Sequence, residues 1–180
     1  MPHKPLVTNP HVKKLRLVFF RPETEETGAA IHLAELLSSL KIDRAFALAF
    51  TGPSEHEKRA LHHFGGANHI PAVTLESMKF ELYEKPSSQD GGVIHDELLK
   101  QMEPVFLSHS MDNISFLVVA DSEHLPLIAS EFATGERAVE LCFEAKLEPG
   151  QALMLVGSTL CLWEKAALVS TSVRKIVAAN

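Results

Sequence analysis

Leu15-Arg16-Leu17-Val18-Phe19-Phe20-Arg21-Pro22-Glu23-Thr24 decides the reading of this chain. A mostly apolar run, of the length and composition of a buried strand, stops abruptly at a guanidinium, a proline, a carboxylate and a hydroxyl. In an open α/β sheet, ligands sit at the carboxyl ends of strands, so residues 21–24 stand where chemistry is expected. The segment has the frame of a phosphate-transfer loop but carries no histidine, cysteine or serine nucleophile.

Outward from this strand, helical and extended patterns alternate. Ala30, Leu33, Ala34, Leu37 and Leu40 recur at helical spacing between Gly28 and Ile42. Residues 44–50 read as a second strand, broken by Thr51-Gly52-Pro53. Ser54 with Glu57 forms a capping box that opens a helix to about Phe64, where Gly65-Gly66 is expected to stop it. Residues 71–75 read as a third strand and 84–92 as an exposed loop, since Pro, Ser, Asp and Gly crowd there. A helix follows over residues 93–107, with Pro104 inside it, and then a buried strand over Ile114–Ala120. Asp121 or Ser122 is expected to cap a helix to about Ala133. Strands are predicted at 138–144, 152–157 and 159–163, with Gly157-Ser158 as a tight turn between the last two. This order predicts a three-layer α/β/α sandwich, with a mostly parallel sheet and antiparallel edge strands.

A chain of 180 residues suits one core, so a flexible leader over residues 1–12 and a single α/β domain over 13–180 are expected. The formal net charge of -6 argues against nucleic acid or an anionic membrane as partner. No apolar run reaches the roughly 18–20 residues of a membrane span, and no secretory signal is apparent at the start. Cys142 and Cys161 lie in apolar runs and read as buried thiols, consistent with a cytoplasmic protein.

Three pieces, in this order, resemble the histidine phosphatase superfamily, whose fold is that of phosphoglycerate mutase, and most nearly its small phosphohistidine phosphatase branch. Val18-Phe19-Phe20-Arg21-Pro22-Glu23-Thr24 fits the frame of the family's first strand end, which carries Arg-His-Gly or Arg-His-Ala, often with Glu-Thr after it. Ala34-Glu35-Leu36-Leu37 and Asp43 fit the helix that follows and the approach to strand two. Phe116 to Leu125 is similar to the late strand that ends in Gly-His, and Pro149 to Trp163 to the closing strands. The resemblance spans residues 15–164 and rests on frame rather than on catalytic residues. Phe20 stands where the family has its arginine, Arg21 replaces the phosphoryl-accepting histidine, and Asp121 replaces the second histidine. The mid-chain arginine has no clean counterpart, Arg59 being the nearest.

These replacements have chemical consequences. The implied reaction needs an imidazole lone pair, which a guanidinium does not offer. A phosphate dianion needs several cations or oriented donors; Phe20 provides none, and Asp121 repels it. On the implied frame, Arg21 and Asp121 lie at neighbouring strand ends and are expected to pair.

The remaining candidates are weaker. Glu23 and His124 are potential acid or base groups, and Arg21, Thr24, Asp121 and Ser122 are the candidate ligand-binding positions. His56, His62, His63 and His69 fall close together but without metal-ligand spacing, so they read as solvated helix-face side chains and no metal or cofactor is expected. Function is therefore expected to be a catalytically silent phosphatase-like domain acting by binding or scaffolding, with a protein or a small anionic ligand as partner. An active phosphohydrolase with rearranged residues is the alternative, and an unrelated α/β domain the second.

Overall fold

The computed structural model describes residues 9, 11–22, 46–68, 70–76, 78, 88–122, 124–133, 135–157, 159–161, 167–169 and 172–177. Its centre is a six-stranded sheet made of β1 (Lys14–Phe20), β2 (Leu48–Thr51), β3 (Ala72–Thr74), β4 (Asn113–Val119), β5 (Gln151–Gly157) and β8 (Ser172–Val177), in the order β3-β2-β4-β1-β5-β8. A separate two-stranded sheet pairs β6 (Thr159–Cys161) with β7 (Ala167–Val169). The described helices are α1 (Glu55–Asn68), α2 (Ser88–Ser108), α3 (Leu125–Phe132) and α4 (Glu136–Glu144).

Strands β3, β2, β4 and β1 run parallel, β5 runs antiparallel to β1, and β8 antiparallel to β5. The register of β1 on β4 runs from Lys14 opposite Asn113 to Phe20 opposite Val119. Side chains alternate across the sheet with the pleat, so the two faces bury different sets. Leu15, Leu17 and Phe19 join Phe116 and Val118 on the face covered by α2, α3 and α4. Val18 and Phe20 join Leu117, Val119 and Leu61 of α1 on the other. Both faces of the central strands are buried, which is why β1 and β4 read as continuous apolar runs rather than as an alternation. The predicted α/β sandwich is the observed one.

Within that frame several elements depart from the sequence reading. Residues 138–144 were expected as a strand but form α4, because Ala138 and Cys142, four apart, bury one helical stripe. Arg137 meets Glu140 and Glu144 along the exposed side of the same helix. Helix α1 runs through Gly65-Gly66 to Asn68: a glycine costs a helix only about 1 kcal/mol, which packing readily offsets. Helix α2 begins at Ser88, inside the expected loop, and passes Pro104, whose ring lies on the exposed side. Helix α3 starts at Leu125 with Pro126 in its first turn; Ser122 accepts the His124 N–H at 3.0 Å just ahead of it rather than capping it. Strands β5 and β6 form no hairpin across Gly157-Ser158, since β5 pairs with β8 and β6 with β7. The run 172–177 was not predicted at all.

The expected leader is packed at its end. Asn9 Nδ2 donates to the carbonyls of Phe106 and His109, each at 2.7 Å, capping the last turn of α2, and Val12 is buried in the core. Asn9→Ala leaves those two carbonyls without this donor and is expected to lower the unfolding free energy by about 1–3 kcal/mol. Equilibrium denaturation checks this; an unchanged midpoint and slope would show that the two Asn9 bonds contribute nothing to the fold.

Candidate functional site

The carboxyl ends of β1, β4 and β2 converge on one point. Arg21 follows β1, Asp121 follows Ala120 at the end of β4, and the β2 exit turns through Gly52-Pro53 into α1. Backbone bonds fix the first two. Ala120 N–H donates to Phe20 O at 3.1 Å, Arg21 N–H to Gln151 O at 3.0 Å, and Gly150 N–H to Arg21 O at 2.7 Å. Gly150 sits at φ 87°, a left-handed conformation open to glycine at little cost, and this turn brings its N–H to Arg21.

The Arg21 side chain lies between two acceptors. Its Nε stands 3.4 Å from Asp121 Oδ1, and its Nη1 donates to Leu147 O at 2.7 Å. The expected pairing of Arg21 with Asp121 is therefore present. The two side chains are 21% and 36% exposed, so the pair alone is worth no more than about 0.2–1 kcal/mol; the shorter bond to Leu147 O does more to fix the guanidinium. Phe20 is placed otherwise than a pocket residue: it is fully buried in the core beneath α1, where it serves packing. Ser122 is buried. Glu23 and Thr24 lie outside the described residues.

Two residues that the sequence reading assigned elsewhere complete the site. His56, expected to be solvated, is only 23% exposed and places Nε2 3.9 Å from Asp121 Oδ2. Glu57, recognised only as a helix cap, is buried. One of its oxygens accepts the Ser54 hydroxyl at 2.5 Å and the other accepts the Asp121 N–H at 2.8 Å, while Ser54 Oγ accepts the Glu57 N–H. The cap therefore also pins the start of α1 to the end of β4. Gly52 makes room for it, because a Cβ there would stand 2.6 Å from Glu57 Oε1 and 2.9 Å from the Met78 carbonyl. The box at Ser54 and Glu57 was legible in the sequence; nothing local announced its long-range partner.

Beside the ion pair opens a cleft of about 520 Å³. Arg21, His124, Lys146 and Glu148 bring polar groups to it, and Leu127 and the exposed Phe143 an apolar wall. Among the described residues no group of three or more His, Cys, Asp or Glu is arranged to hold a metal ion. Cys142 is a free thiol buried in the core, and burial pushes its pKa up to about 12, so it is inert as a nucleophile at neutral pH. Chemically, the strand-end site can hold a guanidinium and a carboxylate together and present an imidazole beside them.

Burial raises the Glu57 carboxyl above its ordinary range, against the opposing pull of its hydrogen bonds from Ser54 and Asp121. The folded chain therefore binds this proton more tightly than the unfolded one, so the group's contribution to stability falls as pH rises through the raised value. Glu57→Gln, which keeps one acceptor oxygen and removes the titration, is expected to flatten that dependence. Thermal unfolding of both proteins from about pH 4 to pH 7 measures it, and parallel curves would contradict the assignment.

No protein-family model matches the chain, and no curated protein matches it in sequence. Solved structures do match its fold. Phosphoglycerate mutase from Plasmodium falciparum superposes with a TM-score of 0.60 at 9% identity, covering 93% of this chain and 94% of its own. A mycobacterial glucosyl-3-phosphoglycerate phosphatase gives 0.58 at 8% identity over 94% and 100%. A chain from Agrobacterium tumefaciens described as a phosphohistidine phosphatase of the SixA type gives 0.50 at 12% identity over 89% and 97%. The chain thus has the phosphoglycerate-mutase-like fold of the histidine phosphatases, over nearly its whole length.

Proposed function

We propose that this chain is a histidine-phosphatase-like domain that does not catalyse phosphoryl transfer and works by binding, with a protein or a small anionic ligand as its partner. The observation that carries this reading is the engagement of Arg21 by Asp121 at 3.4 Å and by Leu147 O at 2.7 Å, at the strand end where the family presents its accepting imidazole. A guanidinium held in this way has no lone pair to accept phosphorus, and part of its charge is already answered by the carboxylate beside it. With Phe20 buried in the core, the strand end also lacks a second cation from that position for a phosphate dianion. The free, buried Cys142 agrees with a reducing compartment, and we place the protein in the cytoplasm. Among the described residues, no helix is long and apolar enough to cross a membrane.

His56 supports one second reading. Its imidazole faces Asp121 at 3.9 Å and could supply the base that Arg21 cannot, which would make the site a rearranged phosphohydrolase. Fold alone does not choose between these readings.

Turnover decides. With an aryl phosphate and with phosphoramidate, the protein is expected to release phosphate no faster than the protein-free solution. Turnover that disappears in both His56→Ala and Asp121→Ala would overturn the silent reading in favour of the second. Restoring the family's two imidazoles with Arg21→His and Asp121→His, and leaving Phe20 in the core, is expected to create measurable phosphate binding.

A further inference from the structure

The segment Ala145-Lys146-Leu147-Glu148 carries a cation and an anion on either side of an apolar residue. Helix α4 ends just before it, and Ala145 is extended at φ -72° and ψ 116°. Leu147 packs into the core, while Lys146 and Glu148 are exposed on either side of it, about 7 Å apart along the stretched chain. The bond from Arg21 Nη1 to Leu147 O sets the guanidinium against the middle of this segment. Arg21, Lys146 and Glu148 thus line the cleft of about 520 Å³ together. That volume falls within the roughly 300–1,000 Å³ of small-molecule sites.

The charges of this cleft balance once their partners are counted. Arg21 is answered by Asp121, and Glu144, just ahead of the segment, by Arg137 at 3.8 Å. His124 has a partner of its own and is left out of the balance. Lys146 and Glu148 remain, and among the described residues neither stands in an ion pair. A simple anion gains Lys146 but meets Glu148 as a like charge, and a simple cation does the reverse. A ligand that carries both signs close together satisfies both. Arg21 can still serve its carboxylate, because the bonds to Asp121 and Leu147 O use two of the five guanidinium N–H groups and leave three. Leu127 and Phe143, the latter 60% exposed, offer an apolar wall to the rest of the ligand.

We propose that this cleft binds a free α-amino acid with an apolar or aromatic side chain. Its carboxylate lies between Arg21 and Lys146, its ammonium on Glu148, and its side chain against Leu127 and Phe143. This ligand class rests on the reading of the strand end as a binding site rather than a catalytic one, and it specifies the anionic ligand as one that brings its own counter-charge.

The test is titration of the ¹⁵N-labelled full chain with L-phenylalanine and L-leucine, beside hydrocinnamate, which lacks the ammonium, and phenethylamine, which lacks the carboxylate. Saturable shifts are expected at the amides of Leu127, Ala145, Lys146 and Leu147 with at least one amino acid, and each half-ligand is expected to bind about fivefold more weakly than phenylalanine. Lys146→Gln is expected to weaken amino-acid binding about fivefold. Glu148→Gln is expected to weaken it similarly and to tighten hydrocinnamate, a gain that misfolding cannot imitate. The amino-acid class is overturned if neither amino acid saturates by about 10 mM, or if either half-ligand binds as tightly as phenylalanine. It is equally overturned if the shifts map to α1, or if either variant binds the amino acid like the parent. Phenyl phosphate separates this failure from that of the underlying reading. Saturation at the same amides without hydrolysis, where both amino acids fail, removes the amino acid and keeps a binding site; released phosphate removes the reading itself.

Discussion

The parallel register of β1 on β4 is the constraint from which the site follows. Lys14 opposite Asn113 at one end means Phe20 opposite Val119 at the other, which sets Arg21 level with Ala120 and one residue short of Asp121, whatever their chemistry. A slip of one residue would turn Leu15, Leu17 and Phe19 onto the opposite face of a sheet that is buried on both sides. Side chains of different size fill the two cores, so the register is set by packing, and packing delivers Arg21 to Asp121.

On the proposed reading, what is delivered there differs in kind from a phosphoryl-transfer site. Such a site keeps its cations waiting for a substrate anion, and preorganisation gives it its catalytic strength. Here the carboxylate belongs to the protein. The Asp121 backbone is held from below by the Glu57 carboxylate, and the Arg21 guanidinium from the side by the Leu147 carbonyl. The arrangement ties both Arg21 and Asp121 into internal bonds. On the proposed reading, the pocket of the fold has become part of its own scaffold.

The sequence carried the architecture where burial leaves a simple signature. Strands β1 and β4 are covered on both faces and read as unbroken apolar runs, and the capping box at Ser54 and Glu57 marks the start of α1. Legibility failed where the pattern was compatible with two periods. In Ala138–Glu144 the apolar residues fit a short strand as well as a helix, and only packing against α3 and the core chose the helix. Pairing partners were equally hidden, since adjacency along the chain suggested a β5–β6 hairpin that the sheet does not contain. At the site, the meeting of Arg21 with Asp121 was legible through the resemblance, as it depends only on strand ends. His56 and Glu57 were not, because a histidine in the first turn of a helix looks solvated until the neighbouring strand is known.

The claim that this strand end cannot accept a phosphoryl group is met most directly by intact-mass measurement of the native protein after incubation with phosphoramidate. The account requires that no phosphoryl group be found on the strand-end residues, because the Arg21 guanidinium offers no lone pair where an accepting imidazole would stand and the Asp121 carboxylate is engaged by it. A gain of one phosphoryl group, mapped by fragmentation to His56, Asp121 or another residue of the strand-end site, would contradict it.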